Sequence, residues 1–391
     1  METNCAFKWV SRCGLKHWLR QLVAIIGWMI IVPTIILVSL AIAVQCNLIV
    51  VSSIFTAASF IPPLFLLLVG ATGVLFLFLG GYRQLSFGLI AVLSSQALIL
   101  GDYSCKGIAR AWTSPKPPME DIRNNSTTIK VVALNVQYYE QGISKVMNAI
   151  RDTHADIALL SESMAWDHQL TTLEEASKPY TLHLSRLRDS AILTKFPVIS
   201  YREITLPTRQ PSLTAFNYIQ HQYLRSPRSF LHAVINANGT PINVLAVRFI
   251  AGRGRSHMLW DQVVWGQYLM EQQALEVAAF TDYVKKLDGP ILFGGDLNAT
   301  PTSTTISSLR KLATDSTLAT TGWGDMTFKS KLLPTTKEKV LPALRLDYLF
   351  SNNLLVPLRT KVLNQVDVSD HFPLYGEFAP IRTVTVSHNS L

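Results

Sequence analysis

Gly294-Gly295-Asp296-Leu297-Asn298-Ala299-Thr300-Pro301, GGDLNATP, directly follows the apolar run Pro290-Ile291-Leu292-Phe293. A short apolar run bounded by turn residues reads as a buried strand. Its end carries a carboxylate and a carboxamide two residues apart, then Thr-Pro, a pairing that opens helices, so Thr300 is expected to cap a helix beginning near Pro301. Alone, the octet fits a turn, because Asp and Asn side chains bond nearby backbone N–H groups. Whether it does chemistry depends on what other strand ends carry.

Residues 129–136 (IKVVALNV) form a β-rich apolar run that ends in Asn135 and Val136. Ile143, Val146, Met147 and Ile150 then fall at helical spacing, and residues 156–160 (DIALL) form a second buried strand followed by Glu162. Shorter strands are expected at 180–184, 191–194, 198–204, 230–236 and 242–249, and a long helix over 260–286. The last strands lie near 345–350, which holds Asp347, and 374–378, which Asp370 and His371 precede. Polar residues at the ends of apolar strands collect on one rim of a sheet or sandwich. Asn135, Glu162, Asp296, Asn298, Asp347, Asp370 and His371 are therefore candidate site residues.

This set suits metal-assisted hydrolysis of a phosphate ester. Glu162, Asn135 and Asp370 offer the hard oxygen ligands that Mg²⁺ or Mn²⁺ takes, whereas a zinc site would want Cys or closely spaced His. His371, beside a carboxylate, suits proton transfer, and Asp347 can orient its ring. Asp296 can orient or deprotonate a water, and Asn298 can donate to a phosphate oxygen that gains charge. Ser190 lacks a GxSxG elbow, so a serine hydrolase is not expected.

The front of the chain differs in composition. Of the 391 residues, carrying a net charge of +9, the first 114 hold seven basic residues (Lys8, Arg12, Lys16, Arg20, Arg83, Lys106, Arg110) against Glu2 and Asp102, a net +5 that leaves +4 for the remainder. That modest excess is no basic stripe, so nucleic acid is not the expected partner. Residues 22–44 hold no charge and are long enough to cross roughly 30 Å of hydrocarbon. Further spans are expected at 61–79, after the Pro62-Pro63 pair, and at 85–100, the last being short enough to suit a re-entrant hairpin as well. The apolar run exceeds a signal-peptide core, so residues 1–104 read as a retained anchor of about three transmembrane helices. The basic residues before the first span and at Arg83 place those loops in the cytoplasm and the catalytic part outside, on the far side of a multi-pass cytoplasmic membrane anchor. Residues 105–128, rich in Pro, Ser and Asn, read as a linker, and 129–391 as one large domain. All four cysteines, Cys5, Cys13, Cys46 and Cys105, precede that domain, which therefore folds without disulfides.

At the strand ends named above, the sequence resembles the endonuclease/exonuclease/phosphatase superfamily, the DNase I-like fold shared by nucleases, inositol-polyphosphate phosphatases and neutral sphingomyelinases. The matching segments, in family order, are the strand ending at Asn135, DIALLSE with Glu162, SAILTKFP at 190–197, GGDLN, RLDYLF and SDHFP. The resemblance covers about residues 129–378 and implies an α/β four-layered sandwich with divalent-metal phosphodiesterase or phosphomonoesterase chemistry. With three spans in front, the whole chain looks like the membrane-anchored branch that includes the VanJ-type teicoplanin-resistance proteins. The implied function is a membrane-anchored, Mg²⁺- or Mn²⁺-dependent phosphoesterase acting on a membrane lipid or lipid-linked phosphate of the cell envelope. A nuclease and an inactive binding module of the same fold are the alternatives.

One position departs from the family's pattern. Where many members carry a histidine after a central strand, this chain reads LAVRFIAGRGRSH, with Arg248 at that place. Arginine cannot donate a proton at neutral pH, but its planar fork can clamp phosphate, so Arg248 joins the substrate-binding candidates. Arg253, Arg255 and His257 follow on a Gly-rich loop that suits either a solvated surface or a lid over an anionic substrate.

Overall fold

The computed structural model describes residues 3–45, 63–100, 128–164, 167–186, 189–208, 228–251, 259–301, 303–320, 326–330 and 341–381. The expected linker, apart from Thr128, the lead-in to the second expected span and the Arg253–His257 loop lie outside them. The chain divides into two compact units, Met1–Thr113 with Thr302–Thr304, and Ser114–Pro301 with Thr305–Leu391.

In the first unit, one helix runs Thr3–Gln45, starting well before its apolar run, and helices Pro63–Leu79 and Arg83–Leu100 follow. Close contact between the first two comes from small residues. A Cβ on Gly27 would meet Leu77, one on Gly73 would meet Ile30, and one on Gly80 would meet Ala24. Among the described residues, only Lys16–Leu37 is long and apolar enough to cross a membrane, with 22 residues of mean hydropathy 2.0. The expectation of three spans is corrected to that extent. Pro63–Leu79 has 17 residues, and its apolar described stretch is only Val69–Leu79; Arg83–Leu100 is diluted by Arg83, Gln84, Ser86, Ser94, Ser95 and Gln96.

The second unit holds strands β1 (Ile129–Asn135), β2 (Ile157–Ser161), β3 (Thr181–Leu184), β4 (Ser190–Thr194), β5 (Val198–Thr205), β6 (Ser229–Ala237), β7 (Thr240–Ala246), β8 (Ile291–Asp296), β9 (Thr314–Asp315), β10 (Phe328–Ser330), β11 (Leu341–Leu344), β12 (Asp347–Ser351), β13 (Leu355–Val362) and β14 (Leu374–Pro380). Two six-stranded mixed sheets form, in the orders β13-β14-β1-β2-β4-β3 and β5-β6-β7-β8-β12-β9. The pairs β1–β2 and β7–β8 are parallel and the others antiparallel.

Side chains alternate across a strand, and here both sides are apolar. Val131, Leu159, Ile192 and Phe378 of the first sheet pack with Leu231, Val244, Leu292 and Leu349 of the second. The opposite faces meet helices. Val132, Leu134 and Leu160 pack on Ile143, Val146, Met147 and Ile150 of helix Ile143–Asp152. Leu245, Phe293, Tyr348 and Phe350 pack on Val277, Phe280 and Val284 of helix Leu259–Val284 and on Ile306 and Leu309 of helix Thr304–Leu312. The layers are thus helix, sheet, sheet, helix, the four-layered α/β sandwich that the family resemblance implied.

Gly294 and Gly295 let β8 sit between its neighbours. A Cβ at Gly294 would fall 2.2 Å from the Tyr348 carbonyl oxygen, and one at Gly295, whose φ is +135°, would fall 2.4 Å from that of Val247. The next helix starts at Thr304, so Thr300 is not its cap. Pro301 continues the turn instead.

Candidate active site

Strand parity carries the polar side chains into the gap between the sheets. Asn135 lies two residues beyond Ala133, Ser161 two beyond Leu159, Arg248 two beyond Ala246, and Asp347 two before Leu349. The nearest of these neighbours, Ala133, Leu159, Ala246 and Leu349, all belong to the inter-sheet core. Asp296 keeps the parity of Leu292, and the β8–β12 register sets Asp347 directly opposite it.

Asp296 is buried and held on three sides. Asn135 Nδ2 donates to its Oδ2 at 3.0 Å, the Asn298 backbone N–H to its Oδ1 at 2.9 Å, and its own N–H donates to Ser161 Oγ at 3.0 Å. Asp347 Oδ2 meets His371 Nδ1 at 2.7 Å, and the Asp347 N–H donates to the buried Thr327 hydroxyl at 3.0 Å. Ligand atoms of Asp296, Asp347 and His371 all lie within 4.8 Å of one another. The other Asp347 oxygen, Oδ1, is buried without a hydrogen-bond partner.

These charges perturb one another. Burial raises the Asp296 carboxyl to about 6; His371 and Arg248 oppose that shift, while Asp347 and Glu162 add to it. Burial would lower His371, yet Asp347, through charge and hydrogen bond, with Asp296 and Asp370 behind it, raises it to about 9. At neutral pH the site therefore pairs a carboxylate near its titration point with an imidazolium.

Arg248, only 2% exposed, does not present its fork to solvent. Nη2 donates to Glu162 Oε1 at 2.5 Å and Nη1 to Asp189 Oδ1 at 2.9 Å, while Nε lies 4.0 Å from Asp296 Oδ2. The sequence reading missed Asp189. Its only signal was a carboxylate opening the buried strand DSAILT, and its partner is 59 residues away.

A second missed residue is Gln137. Gln137, Tyr138 and Tyr139 all have left-handed backbones, with φ of 47°, 53° and 59°. This costly turn gathers the three expected metal ligands. The Gln137 N–H donates to Asn135 Oδ1 at 2.9 Å, the Tyr138 N–H to the Glu162 carbonyl at 2.9 Å, and Gln137 Oε1 accepts the Asp370 N–H at 3.1 Å. Glu162 and Asn298 are left-handed as well, with φ of 53° and 48°. Asn298 Nδ2 donates to the Phe249 carbonyl at 3.0 Å, fixing the amide at the rim.

The structure thus brings Asn135, Glu162, Arg248, Asp296, Asp347 and His371 into one network and links Asp370 to it through backbone and turn. Among the described residues, the carboxylate–imidazole group whose ligand atoms lie close enough together to share an ion is Asp296–Asp347–His371, a set separate from the expected ligands Asn135, Glu162 and Asp370. Arg248 is engaged by two carboxylates, because its burial requires compensating charge. Among the described residues, the charged partners that Glu162, Asp189, Asp296 and Asp347 meet are the Arg248 guanidinium and the His371 imidazole, with Asp370 next to His371 in sequence. That negative excess, its all-oxygen carboxylate donors and the unpartnered Asp347 Oδ1 fit a divalent cation.

Solved structures with similar chains include an endonuclease/exonuclease/phosphatase from Bacteroides vulgatus, 14% identical over 65% of this chain and 100% of that one, with a TM-score of 0.47. An endonuclease/exonuclease/phosphatase from Beutenbergia cavernae is 16% identical over 65% of this chain and 72% of that one, with a TM-score of 0.44. A Staphylococcus aureus beta toxin is 16% identical over 63% of this chain and 99% of that one, with a TM-score of 0.43. No curated protein matches the sequence. The sequence model of the Endonuclease/Exonuclease/phosphatase family matches residues 132–371, more than half the chain and every site residue described above, and the chain belongs to that family.

Proposed function

We propose that the chain is a membrane-anchored, divalent-metal-dependent phosphoesterase that hydrolyses a phosphate ester or pyrophosphate bond of a membrane lipid or lipid-linked precursor. The observation that carries this reading is the buried Asp296–Asp347–His371 group at the rim, with Asn135 and Arg248 beside it. Glu162, Asn135 and Asp370, gathered by the Gln137–Tyr139 turn, would hold Mg²⁺ or Mn²⁺. Such a cation supplies charge that offsets the phosphoryl and leaving oxygens.

The chain's own groups then divide the work. Asp296, oriented by Asn135 and Ser161, takes a proton from the attacking water. His371 spends Nδ1 on Asp347, which leaves Nε2 to donate to a phosphate oxygen, and the imidazolium form stabilises the charge that gathers there. Asn298 supplies a neutral donor at the same oxygens. The lipid side of the reading is supported by the apolar helix through Lys16–Leu37 and by the low net charge of the remaining chain.

The test uses the full chain in detergent with Mn²⁺ or Mg²⁺, offered phospholipids, polyprenyl pyrophosphates, inositol phosphates and DNA. Release of phosphate from a lipid substrate, lost in chelator and reduced about 10²-fold or more by Asp296→Asn, is the expected result. Cleavage of DNA alone would replace the lipid reading with a nuclease, and inertness toward all four would leave the binding-module alternative.

A further inference from the structure

Arg248 shares one positive charge among three carboxylates. Its fork is split between Asp189 and Glu162, and Asp296 lies beyond its Nε. Glu162 and Asp189 are the more exposed partners, their side chains 16% and 15% accessible against 3% for Arg248. Both ends of the fork therefore meet partners that reach solvent, and the backbone tells them apart. Asp189 is tied into the fold by its backbone, donating its N–H to Ser185 Oγ at 3.0 Å and accepting the Ser163 N–H.

Resting on the phosphoesterase reading, we infer that Arg248 is an exchangeable counter-ion: anchored by Asp189, it neutralises Glu162 and transfers its other end to the substrate phosphate when cation and phosphate enter together. Electrostatics gives the direction. A divalent cation arriving alone at Glu162 must displace or face a guanidinium 2.5 Å from the ligand oxygen, and like charges at that range repel strongly in a buried site. A phosphate arriving alone meets an excess of carboxylates. Together the two ligands nearly cancel; Glu162 is released to the cation, and the planar fork finds the tetrahedral oxygens that it binds best. The two ligands therefore bind cooperatively, and Arg248 is the residue that couples them.

Linkage makes the idea measurable without turnover. Mn²⁺ binding to the full chain in detergent is followed by the magnetic resonance signal of free Mn²⁺, with and without inorganic phosphate. In the wild type, phosphate should tighten Mn²⁺ about tenfold or more. Arg248→Met should bind Mn²⁺ alone more tightly than wild type, and phosphate should change that affinity by less than about twofold. Because the deletion leaves buried carboxylates uncompensated, Arg248→Lys serves beside it. It keeps the charge but lacks the planar fork that grips a phosphate with two parallel N–H groups, and its coupling should fall between the other two. Exposed Lys361→Met, a charge deletion on β13, should behave as wild type. Equal Mn²⁺ affinity and equal coupling in wild type, Arg248→Met and Arg248→Lys would overturn this inference alone, leaving the phosphoesterase reading in place. Absence of Mn²⁺ binding to every variant would overturn both.

Discussion

Asp347 and His371 show how a single pair can be read in both directions. The carboxylate is fully buried, one oxygen on the imidazole and the other unpartnered, so the ring's charge is what makes its burial tolerable. His371 is raised from 6.5 to about 9 in the folded chain, which means that folding binds its proton more tightly. The stability from this pair is fully present below the unfolded value and is lost as pH rises through the folded one. In chelator, wild-type melting temperature should therefore fall between about pH 7 and about pH 10, by the equivalent of roughly 2–3 kcal/mol. Asp347→Asn should melt lower at neutral pH and show little further loss over that range. A parallel decline in both proteins would mean that another group titrates. The types of these residues were legible in the sequence, because a carboxylate and a histidine at strand ends seldom serve packing. Asp189 was not, since a counter-ion 59 residues from its arginine leaves no local pattern.

At the scale of elements, the octet that opened the sequence reading resolves into a strand end rather than a helix start. Asp296 is the last residue of β8, and the two glycines before it are demanded by β12 and by the Val247 carbonyl. Gly294→Ala should thus cost stability on the order of 2 kcal/mol or more, because its Cβ meets backbone that cannot turn aside. Thermal melting checks this, and an unchanged midpoint would show that β8 and β12 separate more freely than their register suggests. The apolar strands and the long helix were found within a few residues, since burial on both faces gives continuous runs of Val, Ile, Leu and Phe. Strand β13 was not, because it lies at a sheet edge, carries Pro357, Arg359 and Lys361, and has an irregular register beside the proline. The Gln137–Tyr139 turn was equally hidden. Three left-handed residues without a glycine follow no local preference, and the turn holds through hydrogen bonds to Asn135, Glu162 and Asp370.

At the scale of the whole molecule, the proposed membrane anchor carries a testable topology. Lys8, Arg12, Lys16 and Arg20 precede or open the apolar stretch of the first helix, which places the N-terminus in the cytoplasm if that helix spans. One crossing puts the catalytic unit outside. Helices Pro63–Leu79 and Arg83–Leu100 are joined by Gly80, Gly81 and Tyr82, with Tyr82 N–H bonded back to the Leu77 carbonyl and Gly81 at φ +100°. So tight a turn makes them a hairpin, and a hairpin crosses as a pair or stays out as a pair. Counting the described helices, the crossings number one or three, and with either count an outside position for the second unit stays the expectation. An alkaline phosphatase fused after Leu391 should be active in intact cells, and a fluorescent protein that matures only in the cytoplasm should stay dark at the same position. The reverse pattern would require an even number of crossings or a cleaved first helix. It would also move the proposed substrate from the outer to the inner face of the membrane.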